Sequence, residues 1–221
     1  MTVLLVLATL ILFLTTDHFV QRTRATRAAE DLLPRSIALP EDVSLATNHT
    51  WLKKQRDVVT VGLDEFLGGM LGVVESMVLP GAGSVVTPAR QTISLRNGNR
   101  ALRLAVPVDG TIMRVNPRVL ANPALARTDP YGNGWLLKIR TGGNESVRTR
   151  LLSGAGARQW LKEQMDLAKE FLAGQVAVPQ LVTLQDGGVP ADGILQQCDT
   201  RVWAEFERRF TGLEDTDQIT K

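Results

Sequence analysis

The sequence predicts a mainly β domain with flanking helices, preceded by one transmembrane helix. Three stretches carry this expectation. In residues 91–110, Ile93 and Leu95 alternate with polar neighbours before an Asn97-Gly98 pair, and Leu102, Leu104, Val106 and Val108 alternate after it. Period-two alternation on both sides of Asn-Gly is the pattern of a β-hairpin closed by a tight turn with positive φ. Residues 2–16 are uncharged and mostly apolar. Residues 157–173 place Leu161, Met165, Ala168 and Leu172 at helical spacing, with Trp160, Leu167 and Phe171 widening the stripe, as in an amphipathic helix.

Composition narrows the function classes. A chain of 221 residues is long enough for one sizeable core plus appendages, and a formal charge of +2 is too small to argue for nucleic acid as a partner. The single Cys198 excludes an internal disulfide, and His18 and His49 alone cannot form a metal cluster. No catalytic constellation is present either. His49 lacks an evident nucleophile to serve, and Cys198 has only Arg201 nearby to lower its pKa.

From the N-terminus, the apolar run extends to about residue 20 if Asp17 and His18 lie at the interface, which is close to the length that crosses a bilayer. It has no basic residue before it, whereas Arg22, Arg24 and Arg27 follow it. This bias places the N-terminus outside and the remainder in the cytoplasm, anchored in the inner membrane by residues 1–20. A cleaved signal or a buried core helix is the alternative. Residues 21–47 read as a stalk. From Thr50 the pattern is strand, basic turn (residues 53–57), and strand with Val58, Val59 and Val61. A short helix follows, with Asp64 and Glu65 near its N-terminus and Phe66, Leu67, Met70 and Leu71 on one face. Strands are expected at 73–79, 84–88, in the hairpin, at 111–115 and at 135–140, with a Pro-punctuated loop over 116–134. Beyond the helix at 157–173 come a strand-like stretch at 176–184, a turn at 185–188 and a last helix at 201–210.

Several short motifs share one resemblance. His49-Thr50-Trp51, Thr60-Val61-Gly62, the acidic-aromatic helix over 63–71, Leu79-Pro80-Gly81-Ala82-Gly83, Pro107-Val108-Asp109-Gly110, Asn122-Pro123 and Asp129-Pro130-Tyr131-Gly132-Asn133-Gly134-Trp135-Leu136 occur in this order. The set resembles the glycine cleavage system H protein and the biotinyl/lipoyl carrier domains. The likeness covers residues 38–160. It implies a lipoyl-domain-like β-sandwich (a barrel-sandwich hybrid) over residues 48–156, with residues 157–221 a helical C-terminal extension. It also implies that His49 is a hydrogen-bonded structural histidine. In such carriers the hairpin holds a lipoylated lysine; counting back from Pro107, that position here is Asn99, and no lysine lies elsewhere in the hairpin.

The expectation is therefore a domain with no bound cofactor, no metal and no enzymatic activity. It would serve as a structural or accessory subunit of a larger membrane complex, such as a respiratory or photosynthetic one, with other membrane protein subunits as partners. The alternative is a working lipoyl carrier of a glycine-cleavage-like or sulfur-oxidation pathway. Candidate partner-binding residues are Arg96, Arg100 and Arg103 in the hairpin, suited to bidentate pairing with carboxylates or lipid phosphates, and Trp203, Phe206 and Phe210 in the last helix. These apolar groups either anchor a partner or pack on the protein's own sandwich. Protease added to intact cells is expected to leave residues 40–221 whole; digestion of that region in intact cells would reverse the orientation.

Overall fold

In the computed structural model of the chain, the described residues are 39–87, 92–142, 150–175 and 192–213, all within one compact unit. The apolar run at 2–16, the stretch at 176–184 and the turn at 185–188 lie outside them. None of the helices among the described residues is long and apolar enough to cross a membrane.

Among the described residues, ten strands form two antiparallel sheets. They are β1 (Ser44–Ala46), β2 (Thr50–Gln55), β3 (Val58–Leu63), β4 (Ser76–Val78), β5 (Val85–Val86), β6 (Thr92–Asn97), β7 (Arg100–Ala105), β8 (Gly110–Val115), β9 (Leu137–Arg140) and β10 (Leu151–Leu152). The larger sheet runs β10-β1-β2-β3-β9-β8-β5 and the smaller β4-β6-β7. Strand β1 falls inside the segment expected to be stalk. Leu39, Val43, Leu45 and Ala46 are buried, so the folded domain begins before residue 47.

The register of the larger sheet is set at its centre, where β2 and β3 pair along their whole length around the turn Arg56-Asp57. Trp51 lies opposite Gly62. A Cβ at Gly62 would come within 2.4 Å of the Trp51 ring, so the glycine provides the bed on which the indole lies. Trp51 is 1% exposed, and its ring reaches Tyr131 at a centroid distance of 5.8 Å.

Five helices among the described residues flank the sheets: α1 (Glu65–Leu71), α2 (Pro117–Ala121), α3 (Leu125–Thr128), α4 (Gly154–Ala173) and α5 (Thr200–Phe210), with a 3-10 turn at Ile194–Gln197. In α1, the Asp64 carboxylate caps the helix by accepting from Leu67 N at 2.9 Å, as an N-cap aspartate does. Its apolar face, Phe66, Leu67, Met70 and Leu71, is buried as the spacing predicts. The stretch expected to be a Pro-punctuated loop contains α2 and α3. Asn116 caps α2, accepting from Arg118 N at 3.0 Å, with Pro117 at the first helical position. Its side-chain amide also donates to the carbonyls of Asn133 and Trp135, tying the helix to the turn before β9. Helix α4 starts at Gly154, three residues earlier than its apolar stripe implies.

The contact between Trp51 and Gly62 makes a sharp prediction. Gly62→Ala should lose about 1–3 kcal/mol of stability, because a methyl group is forced into a filled site. Gly69→Ala, in the interior of α1 where nothing lies within 4 Å of the added carbon, should gain about 0.5–1 kcal/mol from helix propensity. Urea unfolding of the two variants measures both.

Candidate functional site

The alternating stretch folds as the hairpin β6-β7. Ile93 faces Leu104 and Leu95 faces Leu102, and all four are buried. Asn97 pairs with Arg100, so the two-residue turn is Gly98-Asn99, one position later than an Asn97-Gly98 turn would be. Gly98 takes the positive φ of +56°. Asn99 is exposed at the tip.

The tip is braced on one side by the segment leading into β4. The Asn97 side-chain amide donates to Val73 O at 2.7 Å, and Gly98 N donates to the Glu75 carboxylate at 2.9 Å. On the other side stands the C-terminal segment. Arg100 Nη1 donates to the carbonyls of Leu195, Gln196 and Cys198 at 3.3, 3.2 and 2.5 Å, and its guanidinium lies 5.6 Å from the Trp203 ring centroid. Three residues on, the Glu207 carboxylate receives Arg103 N at 2.7 Å and the Arg103 guanidinium at 3.0 and 2.7 Å.

The same segment closes the end of α1. Gly193 N donates to Gly69 O at 2.7 Å and Gln196 Nε2 to Leu71 O at 2.9 Å, satisfying carbonyls that a helix terminus leaves unpaired. Gly72, at φ +65°, permits the approach, since a Cβ there would lie 2.5 Å from Gly193 Cα.

These contacts correct the partner-binding assignment. Arg100 and Arg103 do not form a free basic surface, because both are engaged by this chain's own C-terminal residues. Among the three hairpin arginines, Arg96 is exposed and has no ion pair among the described residues. Trp203, Phe206 and Phe210 are 3%, 0% and 3% exposed, so they are core residues of this chain rather than anchors for another. Phe206 and Phe210 stack at 4.5 Å, and Phe171 and Phe66 surround them at 5.9–6.4 Å. The tail thus packs on its own domain. Sequence pattern marks these residues as apolar anchors but does not say whose surface they fill. Glu75 and Glu207, which hold the hairpin, carry no sequence signal, because their partners are a backbone amide and a strand 104 residues away.

The remaining chemical groups are structural. His49 Nδ1 lies 2.7 Å from Asp64 Oδ2, with both side chains fully buried and Phe66 and Trp160 stacked on the imidazole at 4.3 and 4.8 Å. Its Nε2 has no hydrogen-bond partner among the described residues. Burial and the Asp199 carboxylate push the Cys198 thiol up, opposed by Arg100, so it persists as an unreactive thiol at neutral pH. Burial, with the nearby Glu65 and Asp64 carboxylates, pushes the Tyr131 phenol up. The Asn48 side chain donates to Ala105 O at 2.7 Å and accepts from Thr50, which makes it part of the framework.

The described residues thus form a mainly β domain that displays an exposed two-residue hairpin tip. The chain belongs to the glycine cleavage H-protein family, whose model matches residues 43–164. It is 31% identical over 123 residues to a glycine cleavage system H protein of Thermosynechococcus vestitus, covering 56% of this chain and 94% of that protein. It is 32% identical over 123 residues to a probable glycine cleavage system H protein 2 of Sulfurisphaera tokodaii, covering 55% and 82%. A solved glycine cleavage system H protein from Mycobacterium marinum matches 57% of this chain and 97% of its own, at 27% identity and a TM-score of 0.49. The family match ends inside α4, so the 3-10 turn and α5 that hold the hairpin lie beyond it.

If Arg100 secures the tail, Arg100→Ala should cost about 1.5–3 kcal/mol, the range for charge-assisted hydrogen bonds. It should also speed amide exchange across residues 200–210. Arg103→Ala, which leaves the backbone donor to Glu207 in place, should cost about 1 kcal/mol or less. Denaturant titration and hydrogen exchange together test this ranking.

Proposed function

We propose that this chain is a non-catalytic accessory subunit of a larger membrane assembly, such as a respiratory or photosynthetic complex, anchored through residues 1–20 and presenting an H-protein-like domain that carries no lipoyl group. The observation that carries this reading is the hairpin tip. Lipoyl attachment needs the nucleophilic amine of a lysine, and the tip residue is Asn99, whose amide nitrogen has its lone pair delocalised into the carbonyl. Both neighbouring strands are committed to other contacts, since Asn97 and Gly98 are held by the segment before β4 and Arg100 by the tail. A hairpin fixed in this way supports a binding or scaffolding role better than one in which the tip must visit several enzymes. The apolar run followed by Arg22, Arg24 and Arg27 supports the anchor.

A working carrier is the competing reading, favoured by family membership, since the named relatives are glycine cleavage system H proteins. Intact mass of the protein isolated from its native membranes separates the two. The accessory-subunit reading expects the unmodified mass and co-purification with other membrane proteins; a lipoyl adduct on any residue, or recovery of the chain alone from the soluble fraction, would refute it. Asn99→Lys is expected to accept lipoate from a lipoate ligase if the hairpin keeps its geometry, which would show that the missing amine is what prevents modification.

A further inference from the structure

On the face of β3, β9 and β8 that is not occupied by the core, cations gather around one indole. Arg114 on β8 lies directly opposite Lys138 on β9. Their charged groups stand 5.9 and 5.2 Å from the centroid of the Trp135 ring. An irregularity in the β8-β9 ladder between Ile112 and Arg114 makes this possible. Ile112 is buried, so simple alternation would turn Met113 outward and Arg114 inward; the extra residue leaves both exposed, the kind of re-aiming that bulges produce. Arg56, in the β2-β3 turn, joins them. Together with Val58, Met113 and the turn residues Gln55 and Asp57, these cations line an open cleft of about 700 Å³.

The charge balance of this cleft is one-sided. Asp57 is the single carboxylate lining it and faces Arg140 at 3.4 Å. Arg56, Arg114 and Lys138 have no ion-pair partner among the described residues. Like charges placed directly opposite each other on neighbouring strands destabilise a sheet, and the Trp135 ring compensates only part of that cost. The sheet thus holds an arrangement that an anion would relieve.

We infer that this cleft docks an acidic peptide segment of a partner protein. A peptide is favoured over a lipid surface, because an open cleft that sets Val58 and Met113 among its cations accepts an extended chain with both carboxylates and an apolar side chain, whereas a bilayer presents a broad surface. Arginine and tryptophan are the residue types enriched at protein interfaces. The surface shares no residue with the hairpin, and the inference holds whether or not residue 99 carries a group.

The test is a fluorescence-anisotropy titration of the full-length protein, in neutral detergent, with a dye-labelled peptide of repeating Glu-Leu-Glu-Ala. The same peptide with Gln for Glu serves as the control. The acidic peptide is expected to bind in a salt-sensitive manner and the Gln peptide weakly. Arg114→Glu combined with Lys138→Glu should weaken binding about tenfold or more. Lys138→Gln should weaken binding while raising the melting temperature, because it removes the like-charge opposition; a purely structural lysine would lower stability instead. Equal binding by wild type and the double variant would overturn the inference, as would a fall in both stability and binding for Lys138→Gln. Sedimentation with phosphatidylserine vesicles is the remaining arm. Vesicle binding that is lost in the double variant, with no binding of the acidic peptide, would assign the surface to lipid and overturn it as well.

Discussion

On the buried pair of His49 and Asp64 converge the β1-β2 connection and helices α1, α4 and α5. The Asp64 carboxylate receives His49 Nδ1 through one oxygen and Leu67 N through the other, so a single side chain both caps α1 and fixes the β1-β2 connection. His49 adopts a φ of +60°, a conformation that costs a non-glycine residue of order 1–3 kcal/mol and persists where surrounding contacts over-determine it. Those contacts are Phe66 of α1, Trp160 of α4 and, at 6.4 Å, Phe210 of α5. A polar residue buried among aromatics is tolerated because its carboxylate partner is equally enclosed. Removing either member would leave the other without its partner in a place water does not reach, the circumstance in which breaking a buried pair is most costly.

From this centre the tail is drawn onto the domain. Phe66 and Phe210 connect the His49 cluster to α5, and α5 carries Glu207 to Arg103 on β7. The 3-10 turn ahead of it caps α1 and accepts the Arg100 guanidinium. The hairpin is therefore restrained through its arginines by the same segment that completes the aromatic core. Arginine suits this role, since its planar fork of donors can serve several carbonyls while its face lies over Trp203.

Much of this fold was legible in the sequence, for definite physical reasons. The hairpin followed from alternation, α1 from an acidic start and an apolar face, α4 and α5 from their stripes, and the family from motifs that mark turns and caps. What was not legible were relations between distant residues. The β1 strand is only three residues long and lies in a region without periodicity, so it read as stalk. The short helices α2 and α3 were hidden by Pro117, Asn122 and Pro123, although Asn116-Pro117 is itself a cap followed by a first-turn proline. Arg96 and Arg103 are exposed, as alternation implies, and Arg100 is half-buried; alternation assigns a side chain to a face of its own sheet but cannot show that Arg100 and Arg103 find their partners in this chain's own tail. Trp203, Phe206 and Phe210 posed the converse problem: an apolar helix face has to be buried, but its pattern is the same whether the covering surface belongs to the same chain or to another.

That ambiguity bears on how this protein differs from the relatives it matches. The matched region ends within α4, whereas the groups that hold Arg100 and Arg103 begin at Leu195. Residue 99 stands between these two facts, at the tip of a hairpin whose following strand is held by the added segment. A lysine at such a tip would have a flexible side chain of its own, so bracing the strands would not by itself prevent modification; in the proposed reading it is the amide side chain of Asn99 that would. What the bracing adds is positional definition. A tip fixed by Glu75 on one strand and by the tail on the other presents a constant surface, and a constant surface lowers the ordering cost of association. In the proposed reading, the residue at the tip and the bracing of its strands thus act in the same direction.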